Sequence, residues 1–144
     1  MPNKGKAKHH PIFDKKDDRW CTPQYRIQTA DRNVKHLWDL DQQKNVSGYN
    51  PNIVLLGASI IDSLSVIPTA KDTFSEYIDT SRVVNFGGIG DELGHIIWRL
   101  EDASLSEIFR RMYEPKLVIL LAGENDIHKA PIESMMRGIK RIIN

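Results

Sequence analysis

Three short stretches of this 144-residue chain combine residue types that acyl chemistry uses. Gly57-Ala58-Ser59-Ile60-Ile61-Asp62 offers a serine hydroxyl, Gly87-Gly88-Ile89-Gly90-Asp91 a glycine-rich turn, and Ala122-Gly123-Glu124-Asn125-Asp126 a side-chain amide. A serine can attack a carbonyl carbon, and backbone N–H groups beside an Asn amide can hold the oxyanion that forms. Each feature alone has a plainer reading. A Ser after Gly is more often a helix cap, a glycine turn more often opens a helix, and an Asn after a strand is usually a turn residue. The conjunction matters only if the fold brings the three stretches together.

The elements that precede them make that expectation. Ile53-Val54-Leu55-Leu56, Arg82-Val83-Val84-Asn85-Phe86 and Leu117-Val118-Ile119-Leu120-Leu121 are short apolar or β-branched runs, the pattern of parallel strands buried on both faces. Helical spacings lie between them and after them. Leu93, Ile96, Ile97 and Leu100 follow i, i+3, i+4, i+7 behind Asp91 as a candidate N-cap. Leu105, Ile108, Phe109 and Met112 repeat the spacing after Ser104, with Glu107 completing a capping box. Ile132, Met135, Met136, Ile139, Ile142 and Ile143 form a stripe behind Pro131. Strands alternating with helices predict right-handed crossovers and a three-layer α/β sandwich with a parallel, flavodoxin-like sheet. In such a sheet ligands bind outside the carboxyl ends of the strands, where the Ser, Gly and Asn stretches all fall.

Composition bounds the rest. Hydrophobic residues at 40% and charged residues at 27% describe a globular protein, and a net charge of +1 argues against a dedicated nucleic-acid binder. A single cysteine excludes an intramolecular disulfide, no apolar run reaches the length of a membrane span, and the first 20 residues lack a signal-peptide core. A cytoplasmic protein is the default expectation, so the sequon at Asn45 reads as chance. Charge divides the chain: residues 1–51 carry +4 and residues 52–144 carry −3. Residues 1–51 read as a basic arm and linker, and 52–144 as a partial α/β domain. Residues 1–24, with Lys4, Lys6, Lys8, His9 and His10, have the composition of a solvated arm. A short amphipathic helix follows, marked by Ile27, Val34, Leu37 and Trp38 with Asp31 as its N-cap.

The three strand-end stretches resemble the motif blocks of the SGNH hydrolases, the GDSL-type esterases, which supply a Ser, a Gly and an Asn in this order. Within that family the chain most resembles the catalytic subunits of intracellular platelet-activating-factor acetylhydrolase. Asn85-Phe86-Gly87-Gly88-Ile89-Gly90-Asp91, its continuation His95-Ile96-Ile97-Trp98-Arg99-Leu100, and the lead-in Asp17-Asp18-Arg19-Trp20 carry the likeness. The resemblance implies a serine ester hydrolase acting on small acyl esters such as acetyl esters. Ser59 would be its nucleophile, and the N–H groups of Ser59 and Gly90 with the Asn125 amide its oxyanion hole. It implies no cofactor and no metal. The spacing of Gly88, Gly90 and Gly94 misses the dinucleotide fingerprint by one residue, and Asp91 with His95 is better read as a cap than as a metal pair.

Two local departures stand out: Ala58 replaces the family's Asp before the serine, and the glycine turn reads Gly-Gly-Ile-Gly in place of Gly-Ile-Gly-Gly. The family's general base comes from a late Asp-x-x-His block. None of the twelve Asp residues here has a His three positions on, and the chain stops at Asn144. His128, three residues after Asn125, is the best-placed substitute base, and His95 reads as structural. The expectation is therefore a truncated domain lacking its last strands. Leu117–Leu121 would then be an apolar edge, covered by a second copy or another chain. The alternative is an inactive SGNH-like remnant or interaction protein.

Overall fold

A computed structural model describes residues 19–43, 51–101 and 115–144. Its elements are α1 (Ile27–Gln43), β1 (Ile53–Gly57), α2 (Ser59–Val66), α3 (Pro68–Tyr77), a 3-10 turn (Thr80–Arg82), β2 (Val83–Gly87), α4 (Leu93–Glu101), β3 (Leu117–Leu121) and α5 (Ile132–Ile143). The helix expected over Leu105 to Met112, the Lys4–His10 cluster and the Asn45 sequon lie outside the described residues.

The three apolar runs are the three strands, in the order β2-β1-β3 and all parallel. Register pairs Gly57 with both Gly87 and Leu121, so the strands end level. Alternation sends Val54, Leu56, Val84 and Phe86 to one face, where Ile96 and Leu100 of α4 and Ile142 of α5 close the core with Leu120 and Ala122. Asn85 points the other way and donates from Nδ2 to the Ile61 carbonyl of α2 at 2.6 Å. Helices thus cover both faces of a parallel sheet, the expected α/β architecture. α2 and α3 lie where no helix is expected from the sequence reading above; α3 starts at Pro68, whose fixed φ suits a first turn, and buries none of its residues.

Expectations for two helices change. α1 is longer than a short helix, and Asp31 lies in its second turn and not at its cap. Its apolar positions Ile27, Val34 and Trp38 are about 60% exposed (59%, 66% and 62%). The helix is instead attached through polar groups: Thr29 is buried against Asp91, and Arg32 pairs with Asp62. α5 presents only part of its stripe to the core: Met135, Ile139 and Ile142 are partly buried. Ser134 and Gly138 are its buried residues, while Ile132, Met136 and Ile143 are exposed.

The reason lies in residues 19–24, which are no solvated arm. Trp20 and Cys21 are buried, and the segment crosses α4 and α5 as a strap. The Trp20 carbonyl sits where a Cβ on Gly138 would be, and the Arg19 carbonyl where one on Gly94 would be. Gln24 N–H donates to the Gly94 carbonyl at 2.8 Å, and Arg141 donates to the Cys21 carbonyl at 3.0 Å while pairing with Glu101. Glycine inside a helix costs about 1 kcal/mol relative to alanine, and here it admits a crossing backbone.

Candidate active site

Because the strands end level, the loops that follow them leave one edge of the sheet side by side. The first is also tied to the second: Gly88 N–H donates to the Gly57 carbonyl at 3.0 Å. Ser59 opens α2 two residues after Gly57, half-buried, with its backbone N–H in the free first turn of that helix. Ala58 before it is fully buried. An aspartate there would have placed a carboxylate in the interior.

The glycine turn is held from several directions. Gly90 has φ +73°, a conformation glycine adopts without the steric cost other residues meet. Asp91 next to it is 2% exposed and its carboxylate faces inward. Thr29 Oγ1 donates to Asp91 Oδ1 at 2.6 Å, Arg99 Nη1 to Oδ2 at 3.2 Å, and Arg26 stands 3.7 Å away. Arg99, fully buried, also donates to the Phe86 carbonyl at 2.8 Å, joining the end of β2 to the turn. Arg26 Nη1 donates to the Ile89 carbonyl at 3.2 Å. Asp91 is therefore an internal counter-ion and not the cap of α4.

The third loop closes on the same place. Asn125 Nδ2 donates to the Asp91 carbonyl at 2.8 Å, which sets the Asn amide one residue from Gly90. Asp126, with no exposed surface, takes the Leu93 N–H on its two carboxylate oxygens at 3.2 and 3.3 Å. It, not Asp91, satisfies the first turn of α4. His95 caps the same turn from within: its Nδ1 accepts the Glu92 N–H at 2.9 Å, in keeping with a structural role. Lys129 completes the closure with an ion pair to Glu92 at 2.7 Å.

Electrostatics follow from this burial. Desolvation pushes the Asp126 carboxyl up to about 6, with Glu92 and Glu124 adding to the rise and the Leu93 N–H and Lys129 opposing it. Desolvation pulls His95 below the ordinary histidine value despite Asp91 and Glu92, which keeps its Nδ1 free to accept. The Ser59 hydroxyl has no hydrogen bond to any described histidine, and His128 is exposed with no hydrogen bond or ion pair to Ser59. The structure thus gathers Gly90 and Asn125 around Asp91, sets Ser59 on the neighbouring loop, and leaves His128 in solvent. Sequence spacing did not reveal Arg26, Thr29 and Asp126 as members of this neighbourhood. The only signal was the Asp that follows Asn125.

No family model matches the chain. It is similar to curated relatives named platelet-activating factor acetylhydrolase IB subunit alpha1. The proteins of Rattus norvegicus and Homo sapiens are each 28% identical to it over 138 residues, which is 95% of this chain and 49% of theirs. It is also similar to the subunit alpha2 of Bos taurus, 27% identical over 93 residues, 65% of this chain and 36% of that one. The chain is a relative of the acetylhydrolase IB alpha subunits. It spans about half the length of the curated relatives it matches. Among the described residues no helix is long and apolar enough to cross a membrane. The alignment to the alpha1 subunits runs over the strap and α1 as well as the sheet, so the acetylhydrolase likeness is not confined to the strand-end motifs.

Proposed function

We propose that this chain is a serine ester hydrolase of SGNH type, cytoplasmic and acting on small acyl esters of the acetyl kind. Ser59 Oγ would attack the carbonyl carbon, and the resulting oxyanion would be held by the N–H groups of Ser59 and Gly90 and by Asn125 Nδ2. The observation that supports it best is the 2.8 Å bond from Asn125 Nδ2 to the Asp91 carbonyl, which sets the amide against the turn whose Gly90 has a positive φ. An Asn amide carries two hydrogens, so one can orient the group while the other faces substrate. The start of α2 adds positive partial charge at the Ser59 N–H. Ile60, Ile61 and Leu64 of the same helix would give the acyl site apolar walls.

The Ser59 proton needs an acceptor. Within these residues His128 is the candidate, at the cost of a loop movement that brings it from solvent; the family's Asp-x-x-His block is the other source. β3, with four of its five residues exposed, is the edge at which a further strand or a second copy would pair. Removing one oxyanion donor typically lowers rate by roughly 100- to 1000-fold. Asn125→Ala should do so on a short p-nitrophenyl ester while its circular dichroism stays that of the parent. A fluorophosphonate should label Ser59 in the parent and not in Ser59→Ala. An unchanged rate in Asn125→Ala removes that residue from the mechanism. Absence of labelling at Ser59 favours the inactive, interaction-only reading.

A further inference from the structure

Asp126 is buried and lies one residue beyond Asn125. Its carboxylate spends both oxygens on a single backbone N–H, that of Leu93. Its own backbone is fixed as well: Asp126 N–H donates to the Gly123 carbonyl at 3.0 Å, and the Asp126 carbonyl accepts from the N–H groups of Lys129 and Ala130, both at 2.8 Å. Two adjacent residues of one loop therefore grip two positions of another, on either side of Glu92. Asn125 holds the carbonyl of Asp91, and Asp126 holds the N–H of Leu93.

We propose that Asp126 is a positioning residue for Asn125: by capping the first turn of α4 it fixes the loop after β3 and so sets the direction of the Asn125 amide. This rests on the ester-hydrolase reading of Asn125 for its functional meaning, but the coupling itself does not. A carboxylate at a helix N-terminus is favoured by the partial positive charge of the free N–H groups, and an ionised acceptor makes the stronger bond. Protonation of Asp126 weakens the grip on Leu93 and loosens Asn125 with it. The groups facing Asp126 are Glu92 at the start of α4 and Glu124 and Lys129 on its own loop, with His95 one turn along α4 beside Glu92. Burial places the Asp126 carboxyl at about 6, within the range that mild acidification crosses.

The test uses the full chain, labelled with 15N, and follows the Leu93 backbone amide and the Asn125 side-chain amide by NMR from pH 4.5 to 8. The two signals should move together with a midpoint near 6, and that shared transition should vanish in Asp126→Asn, which keeps an oxygen acceptor and cannot ionise. Whatever titration remains at Leu93 in that variant belongs to His95. A Leu93 signal that titrates while Asn125 stays fixed overturns the proposal. So does a shared transition that survives Asp126→Asn. Hydrolysis by Ser59→Ala and Asn125→Ala at the parental rate would overturn the ester-hydrolase reading and leave the coupling intact, so the two failures are separable.

Discussion

The two strands that flank β1 are equal in length and parallel to it, and their surroundings are opposite. β2 carries Val84 and Phe86 into the core, with Phe86 completely buried. β3 is the more apolar of the two, yet Leu117, Val118, Ile119 and Leu121 are 43% to 49% exposed. β2 is covered by α2 on one face and α4 on the other, and its end is tied to the glycine turn by Arg99. Of β3, Leu120 alone packs against the core cluster. Apolar content states what a strand is able to bury; the neighbouring elements decide what it does bury. The same contrast runs through the site, where the turn after β2 is clamped by Thr29, Arg99, Arg26 and Asn125 and the Ser59 hydroxyl has no hydrogen bond to a described histidine.

The largest expected effect tests that contrast directly. Phe86→Ala should cost about 3–5 kcal/mol of stability, because a fully buried ring leaves a cavity its neighbours cannot fill. Ile119→Ala, with nearly half its surface already in solvent, should cost about 1 kcal/mol or less. Urea denaturation of both variants measures the difference, and equal losses would mean that β3 is covered in solution. Next in size is Arg99→Ala. It leaves the 2%-exposed Asp91 carboxylate with Thr29 and the more distant Arg26 as partners. Removing one partner of a buried pair costs about 3 kcal/mol. The glycine turn should lose its order along with that stability, seen as faster amide exchange at Gly90.

The three strands and their carboxyl-end loops were legible in the sequence because a parallel strand reads as a short run rich in apolar and β-branched residues, as 53–56, 82–86 and 117–121 are. The Ser, Gly and Asn positions followed from that order and from the family resemblance. What spacing could not show was direction. The stripe of α5 recurs at helical intervals, yet Ile132, Met136 and Ile143 stay exposed and the buried line of the helix runs through Ser134 and Gly138, where a backbone carbonyl can approach because there is no side chain. Asp91 has the residue type and place of an N-cap, and the burial of Arg99 claims it as a counter-ion. Both errors involve partners distant in sequence, Trp20 for α5 and Thr29 for Asp91, with Arg99 reaching back to Asp91 from within α4.

A smaller effect separates the two groups that cap α4. The Asp126 carboxyl is raised to about 6 in the folded chain, so its contribution to stability is present below the unfolded value near 4 and is lost as pH rises through 6. His95 is lowered, so its contribution is present above the ordinary histidine value near 6.5 and is lost as pH falls through its folded value. Melting temperatures between pH 4 and 8 should show it. Asp126→Asn gains on the parent as pH rises from 4 to 6, and His95→Gln gains on the parent as pH falls below 6.5. Slopes of the same sign would assign the titration to another group.

The smallest effect concerns Lys129, which joins the Asn125 loop to α4 from the solvent side. Its side chain is 59% exposed, and a surface ion pair such as that with Glu92 contributes about 0–1 kcal/mol. Lys129→Ala should therefore leave the melting temperature nearly unchanged. It should still be visible at Asp126, because the ammonium is one of the two influences that lower that carboxyl. Removing it moves the Asp126 transition further up, closer to neutrality, while Leu93 keeps its acceptor. A buried carboxylate one residue from Asn125 would then respond to an exposed charge that contributes almost nothing to holding the fold together. If Lys129→Ala instead destabilises the chain as much as Arg99→Ala, the loop is held from its surface and the contrast between clamped interior and dispensable rim fails.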